Sequence, residues 1–212
     1  MFAMTIDQRA SRRDGDRVPQ LLDAFEARWP GVVAGSTARR APGCVRGFER
    51  TVGDEVQALF EDAALVVELA LWVLRHGGWS VGIGAGPVDE PLAPNARAGS
   101  GPAYVLARDA VEAAKSRQRV VPLSVRGAHH QAGLDTEAVL TLVAAIAVRR
   151  SAAGWEAVDA LEAAGPDARQ EDVAAAMGIT QQAVSQRLRT ALYDESRTAA
   201  RAGAHLLVSA QG

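Results

Sequence analysis

The sequence predicts an α+β domain followed by an all-helical domain. Two observations support this division. Up to about residue 125, short apolar runs typical of strands alternate with longer helical patterns, in the order β-α-β-β-α-β and then one more helix and strand. After Gly127 the patterns are almost purely helical. We therefore expect one domain over 1–130 and a second over 131–212.

The elements of the first domain follow from spacing and from turn residues. Val18, Leu22 and Phe25 recur at helical spacing, with Pro19 in the first turn. Gly53-Asp54 separates two strand-like runs and indicates a hairpin. The predicted strands are 2–6, 44–52, 55–60, 79–85 and 120–125, and the predicted helices are 18–29, 61–75 and 102–117.

This order of elements predicts a ferredoxin-like α+β sandwich. Its sheet should be antiparallel or mixed, with the helices packed on one face. Pro122 places the last strand near an edge of the sheet.

In the second domain, helical patterns cover 135–150, 151–164 and 191–210. The Gly165-Pro166 pair interrupts them. His129 and His130 fall before the first of these patterns, so the sequence predicts a linker near 127–134.

Residues 170–189, QEDVAAAMGITQQAVSQRLR, carry the most informative motif of the chain. Val173 and Met177 lie on one face of a short helix, and Gly178 then allows a turn that most residues adopt only at a cost. Thr180 can cap a second helix that carries Val184. This pattern is typical of a helix-turn-helix, although an ordinary αα-hairpin has similar features.

Polar side chains occupy the outer face of the second helix. Glutamine and arginine suit adenine and guanine edges, while threonine and serine suit phosphates. The candidate DNA-contacting residues are Thr180, Gln181, Gln182, Ser185, Gln186, Arg187 and Arg189.

Charge limits how tightly one such motif can bind DNA. The chain has a net charge of −2. From Arg150 onward the sequence contains six basic and eight acidic residues. Since phosphate contacts supply much of the affinity for DNA, one copy of the motif needs help, and a homodimer would supply a second copy.

Two carboxylates form a second candidate site. Asp7 ends the first strand, and Asp54 lies at the hairpin tip beside it in a β-α-β-β sheet. Paired carboxylates at one end of a sheet can bind Mg²⁺. The alternative is that Gly53-Asp54 is only turn chemistry and that Asp7 only caps the strand end.

Four segments resemble the catalytic domain of class III nucleotide cyclases: 2–7, 50–60, 81–86 and 101–114. In that family, aspartates at the places of Asp7 and Asp54 bind metal ions. Together with the helix-turn-helix, the segments 7–12 (DQRASR) and 53–57 (GDEVQ) are more specifically similar to the SatD family. The resemblance implies a nucleotide-cyclase-like fold in front of a DNA-binding-type region.

The sequence also departs from the cyclase pattern. Tyr104 stands where active cyclases have an asparagine that orients the ribose, while Arg108 is present four residues later. No lysine precedes Gly53, and Arg50 is the nearest cation. Arg50 and Arg108 therefore stay candidates for nucleotide or anion binding, but the departures argue against cyclase activity.

These observations favour a transcriptional regulator that binds double-stranded DNA as a homodimer. The cyclase-like domain would be non-catalytic and would serve dimerisation or the sensing of a nucleotide ligand, with no required cofactor. One alternative is a Mg²⁺-dependent enzyme that binds nucleotides or has nucleotidyl cyclase-type activity, using Asp7 and Asp54. Another is a protein–protein interaction module.

Composition predicts the compartment. Cys44 is the single cysteine, so no disulfide within the chain and no cysteine zinc cluster can form. The N-terminus lacks the apolar core of a signal peptide, and the apolar run 138–148 is too short to span a bilayer. We therefore expect a cytoplasmic protein with no membrane partner.

Overall fold

A computed structural model describes residues 1–165 and 167–212; Pro166 of the predicted helix break lies outside them. The five strands form one mixed sheet in the order β2-β3-β1-β4-β5, in which β4 and β5 are parallel and the other neighbours antiparallel. The strands are β1 (Phe2–Gln8), β2 (Cys44–Arg50), β3 (Glu55–Phe60), β4 (Trp79–Ala85) and β5 (Leu123–Gly127). The α+β class, the mixed sheet and the edge position of the last strand are confirmed.

The described residues form helices close to those expected. They are α1 (Ser11–Asp14), α2 (Val18–Arg28), α3 (Ala63–His76), α4 (Pro102–Ala114), α5 (His130–Arg149), α6 (Ala152–Ala164), α7 (Gln170–Met177), α8 (Gln181–Thr190) and α9 (Tyr193–Ser209). The short α1 was not predicted. Helix α3 begins two residues later than expected because the side chain of Asp62 accepts hydrogen bonds from the backbone N–H groups of Ala64 and Leu65 and so caps it.

Helices cover both faces of the sheet, so the prediction of helices on one face is wrong. Phe2, Met4 and Ile6 of β1 point into the main core, which also contains residues of α2, α3, α5 and α9. Ala3, between them, points to the opposite face and packs with Ala107 of α4. The strand pattern shows that both faces are buried, but it does not say which helix covers each face.

Two glycines of β4 permit α4 to lie on the second face. A Cβ atom on Gly82 would lie 2.2 Å from the backbone nitrogen of Val111, and one on Gly84 would lie 2.1 Å from the carbonyl oxygen of Ala103. Real side chains cannot approach backbone atoms so closely. The glycines of the segment 81–86 therefore act through close helix–strand packing.

Helix α5 begins at His130, so the predicted linker at 127–134 is wrong. His129 caps the helix, since its Nδ1 accepts a hydrogen bond of 3.2 Å from the backbone N–H of Ala132. The buried Leu140 of α5 and Leu207 of α9 belong to the same core as the sheet. That core therefore contains residues from both sides of residue 130, where the sequence places the domain boundary.

Helices α6, α7 and α8 form a small unit with its own hydrophobic core. This unit lies in the chain between α5 and α9, which pack against each other. Arg150, at its start, donates from Nε to the carbonyl oxygen of Ala191, at its end, over 3.1 Å. We call residues 150–192, without Pro166, the head.

Of the described helices, α5 alone is long and apolar enough by length and composition to cross a bilayer, with a mean hydropathy of 1.4 in its most apolar window. Within the fold, 44% of that window is buried. Core helices of soluble proteins share these properties.

Candidate nucleic-acid interface

The head contains the two short helices and the glycine turn that the sequence predicts for a helix-turn-helix. Val173 and Ala174 of α7 and Val184 and Leu188 of α8 are buried against α6 in one cluster. Between the two helices, Gly178 adopts a left-handed conformation with φ 66° and ψ 30°. Glycine adopts this conformation without the steric cost of a Cβ atom, which explains its position in the turn.

The N-terminal part of α8 presents its polar side chains to solvent. Thr180 caps the helix, because its hydroxyl oxygen accepts a hydrogen bond of 3.2 Å from the backbone N–H of Ala183. Gln181, Gln182 and Gln186 are exposed, and Ser185 is half-buried. Gln182 and Gln186 lie on the side of α8 away from the buried Val184 and Leu188, where a recognition helix would meet a DNA groove, whereas Gln181 is exposed in the first turn of the helix.

The two arginines of α8 differ in their surroundings. Arg189 is exposed, and its side chain makes no ion pair with the residues that the structure describes. Arg187 lies on the side that faces α6, where its Nη1 is 3.1 Å from Oε2 of Glu156. Of the two, Arg189 therefore lies on the outer face of α8 with Gln182 and Gln186, whereas Arg187 forms a surface ion pair with α6.

Trp155 of α6 attaches the head to the rest of the fold. Its ring lies between two guanidinium groups: that of Arg75 on α3, 3.5 Å from the ring centroid, and that of Arg150, 4.2 Å away. Its indole N–H donates to the carbonyl oxygen of Ala147 at the end of α5. Cation–π contacts of this kind hold an aromatic ring in one orientation.

Beside this attachment lies an open groove of about 670 Å³. Trp29, Trp72 and Trp155 line it, together with Arg197 and Arg201 of α9. Partial burial raises the pKa of Glu162 at its rim, and the guanidinium of Arg28 opposes this shift. A ligand in the groove would contact both the head and the helices that cover the sheet.

Asp7 and Asp54, the expected carboxylate pair, lie at the same end of the sheet. Asp7 pairs with Glu55 in the β1–β3 ladder, and the backbone N–H of Gln8 donates to the carbonyl oxygen of Asp54 over 3.2 Å. Partial burial raises the pKa of Asp7, the negative charge of Asp54 adds to this shift, and Lys115 opposes it. The two carboxylates are therefore close enough to interact.

Lys115 was missed as a member of this site. Its Nζ lies 3.0 Å from Oδ2 of Asp7 and 2.7 Å from Oε1 of Glu112. It is also the only lysine of the sequence, and that is the one signal that could have singled it out.

At this end of the sheet the carboxylate of Asp7 is already engaged in an ion pair, which would compete with a magnesium ion for the same oxygen. The ammonium group of Lys115 pairs with Oδ2 of Asp7, whose side chain is only 17% exposed. Among residues 1–165 and 167–212, no group of three or more His, Cys, Asp or Glu side chains could hold a metal ion. The arrangement is that of a structural ion-pair network between β1 and the end of α4.

The structure does not bring together the two candidate anion-binding arginines. The guanidinium of Arg50 pairs with Asp16 in the loop after β1. Arg108 is exposed on α4. Tyr104, at the place of the cyclase asparagine, is buried with Ala3 and Leu59 under α4, and burial raises the pKa of its hydroxyl.

We also compared the chain with known proteins. No family model, no curated protein and no solved structure matches it.

Proposed function

We propose that the protein is a cytoplasmic transcriptional regulator that binds double-stranded DNA through α8 of the head. One observation carries this proposal. Gln182, Gln186 and Arg189 stand exposed on the side of α8 opposite its buried residues, and Gln181 is exposed in the first turn, after a left-handed turn at Gly178. A helix fixed in this way and rich in glutamine suits the major groove, where glutamine binds adenine in a bidentate manner and arginine binds guanine.

The α+β part would then serve dimerisation or the sensing of a ligand rather than catalysis. Its antiparallel strand order β4-β1-β3-β2, to which β5 is added in parallel, supports the ferredoxin-like and cyclase-like assignment. The similarity to the SatD family is part of the same proposal. A sensed ligand, such as a nucleotide, would act most directly from the groove beside Trp155, because that groove contacts the head.

The test is to select bound fragments from random duplex DNA and to measure their affinity by fluorescence anisotropy at several salt concentrations. We expect Gln181→Ala to cost about 1–3 kcal/mol on the selected sequence and little on random DNA. Arg189→Gln should weaken binding to all sequences and reduce the slope of the salt dependence by about 1.

Arg117→Gln is the matched control, since it removes the same charge from an exposed site just after α4. It should leave both the affinity and the salt slope close to those of the wild type. If the wild type binds no duplex DNA, or if neither α8 variant changes binding, the proposal is wrong.

A second candidate is a Mg²⁺-dependent nucleotide-binding or nucleotidyl cyclase-type enzyme. The proximity of Asp7 and Asp54 favours it, whereas the Lys115 ion pair and the buried Tyr104 oppose it. Turnover of nucleoside triphosphates with Mg²⁺ or Mn²⁺ that is lost in Asp54→Asn would support this candidate over the first.

A further inference from the structure

Helix α5 has an exposed apolar face that the described residues leave uncovered. Its opposite side packs on β5, α3 and α9. On the outer side, Leu142 is 67% exposed, Ala138 is exposed and Ile146 is half-buried. Together these three side chains form a contiguous apolar patch, which a partner can cover.

The outer residues of α5 are arranged symmetrically about Leu142. Asp135, Ala138, Leu142, Ile146 and Arg149 follow one another at intervals of three, four, four and three residues. At the ~100° rotation per residue of an α-helix, all of them lie within about 40° of the direction of Leu142. We call these five residues the α5 stripe.

The charges of the α5 stripe are complementary end to end. Asp135 and Arg149 stand seven residues before and seven residues after Leu142, and both are exposed. Asp135 accepts a hydrogen bond of 2.8 Å from the amide of Gln131. In the part of the chain that the structure describes, neither residue forms an ion pair.

We propose that the α5 stripe binds the α5 stripe of a second copy of this chain, with the two helices antiparallel and Leu142 on the two-fold axis. In this arrangement Ala138 packs against the partner's Ile146, and Asp135 pairs with the partner's Arg149. Each contact occurs twice, as an isologous interface requires. A parallel arrangement would instead bring together the two Asp135 and the two Arg149 side chains.

The dimer places the two heads on either side of the two-fold axis. Each head follows its Arg149 directly, so the two points of attachment are about 21 Å apart along the helix pair at 1.5 Å per residue. One helix pair buries less surface than the ~1,600 Å² of a standard interface, so we expect a micromolar dimer that two DNA half-sites would reinforce. The inference thereby deepens the proposed function, since it supplies the second head.

A charge exchange tests the pairing by sedimentation velocity without DNA. Asp135→Arg places the new cation opposite the partner's Arg149 and should weaken the dimer by about tenfold or more. Arg149→Asp should do the same by opposing two carboxylates. The double variant restores opposite charges in every pair, and its dimer should lie within about threefold of the wild type.

A cysteine placed on the axis tests the geometry. Leu142→Cys should cross-link two copies under mild oxidation, since facing Cα atoms of packed helices come within the reach of a disulfide. Val148→Cys is the control on the same helix: it is 57% exposed but turned about 120° from the α5 stripe. The native Cys44 is buried, and burial raises its pKa to about 11, so it should not interfere.

Three results would each overturn the inference. The wild-type chain could be monomeric at every concentration, or the double variant could dimerise no more tightly than the single variants. The third is cross-linking through Val148→Cys and not through Leu142→Cys. The failure of the proposed function is a separate result. A dimer that binds no DNA contradicts DNA binding alone, and a monomer that binds DNA contradicts the α5 interface alone.

Discussion

Arg75 on α3 donates two hydrogen bonds to the carboxylate of Asp159 on α6, from Nη1 to Oδ1 and from Nη2 to Oδ2, each of 2.6 Å. The same guanidinium lies flat over the ring of Trp155. One arginine of α3 thus contacts two residues, Trp155 and Asp159, which are four positions apart on the first helix of the head. This contact therefore links α3 directly to the head.

We expect Trp155→Ala to lower the free energy of unfolding of the head by about 2–3 kcal/mol, because it removes a large ring from between two arginines. Asp159→Asn should cost only about 0.5–1 kcal/mol, since half of that carboxylate side chain is exposed and solvent screens the pair. Urea unfolding and limited proteolysis near residue 150 would measure both changes.

The matched control for these variants is Glu171→Gln on α7, an exposed acidic residue of the head whose side chain forms no ion pair with the described residues. If the Trp155→Ala variant resists protease as well as the Glu171→Gln variant does, Trp155 does not hold the head in place.

The Arg187–Glu156 pair leads to a prediction of tighter binding. Glu156→Gln removes an acidic group from the head and releases Arg187, which Glu156 now holds at 3.1 Å. We expect the affinity for duplex DNA to rise about threefold to tenfold, with a salt slope steeper by up to about 1. Anisotropy titrations at several salt concentrations would measure both quantities.

Asp109→Asn gives the corresponding change of charge at an exposed position of α4, away from the head. If it raises the affinity as much as Glu156→Gln does, the gain reflects the net charge of the chain and not the release of Arg187.

The glycines of β4 allow a direct test of helix–strand packing. Gly84→Ala would put a Cβ atom 2.1 Å from the carbonyl oxygen of Ala103, so α4 must move away from the sheet. We expect a loss of about 2–3 kcal/mol in the free energy of unfolding. Gly86→Ala is the matched control, because its Cβ atom would meet no atom closer than 3.5 Å. Chemical denaturation of both variants gives the comparison, and equal stabilities would contradict the packing argument.

The sequence predicts most elements because local signals mark their ends. Pro19 restricts the backbone, whereas Gly53 and Gly178 permit a positive φ, and the structure has a helix start, a hairpin and a left-handed turn at these places. The start of α5 was missed for a related reason. His129 caps that helix through a ring nitrogen, which is a weaker sequence signal than serine, threonine, asparagine or aspartate.

Long-range packing determines the contacts that the sequence does not predict. Nothing near Lys115 in the sequence says that its ammonium group meets Asp7, more than one hundred residues earlier. Likewise, the pattern of α8 shows that Arg187 is polar but not that Glu156 of α6 lies beside it. The return of α9 to the sheet core depends on α5, from which the whole head separates it in the chain.

Glu137 on α5 predicts how stability depends on pH. Its carboxylate accepts hydrogen bonds from Ser124 Oγ at 2.6 Å and from the backbone N–H of Val125 at 2.8 Å, and it pairs with Arg119 and Arg126. Partial burial alone would raise its pKa, but the hydrogen bond from Ser124, Arg119 and the backbone of Val125 together hold the pKa below the ordinary value of 4.5. The charged form of Glu137 therefore stabilises the packing of α5 on β5.

Because the pKa of Glu137 is lower in the folded chain than in the unfolded one, its contribution is fully present above the unfolded value of 4.5 and is lost as the pH falls through the folded value. Glu137→Gln should cost about 2–3 kcal/mol at neutral pH, since it leaves Arg119 and Arg126 without their carboxylate. Urea unfolding of the wild type and of Glu137→Gln at neutral pH and at roughly pH 3 should show that the difference between their free energies of unfolding is smaller in acid. Glu61→Gln removes an exposed carboxylate instead, and its difference from the wild type should stay small at both values. A gap between Glu137→Gln and the wild type that is as large in acid as at neutral pH would mean that the charge of Glu137 does not hold α5 in place.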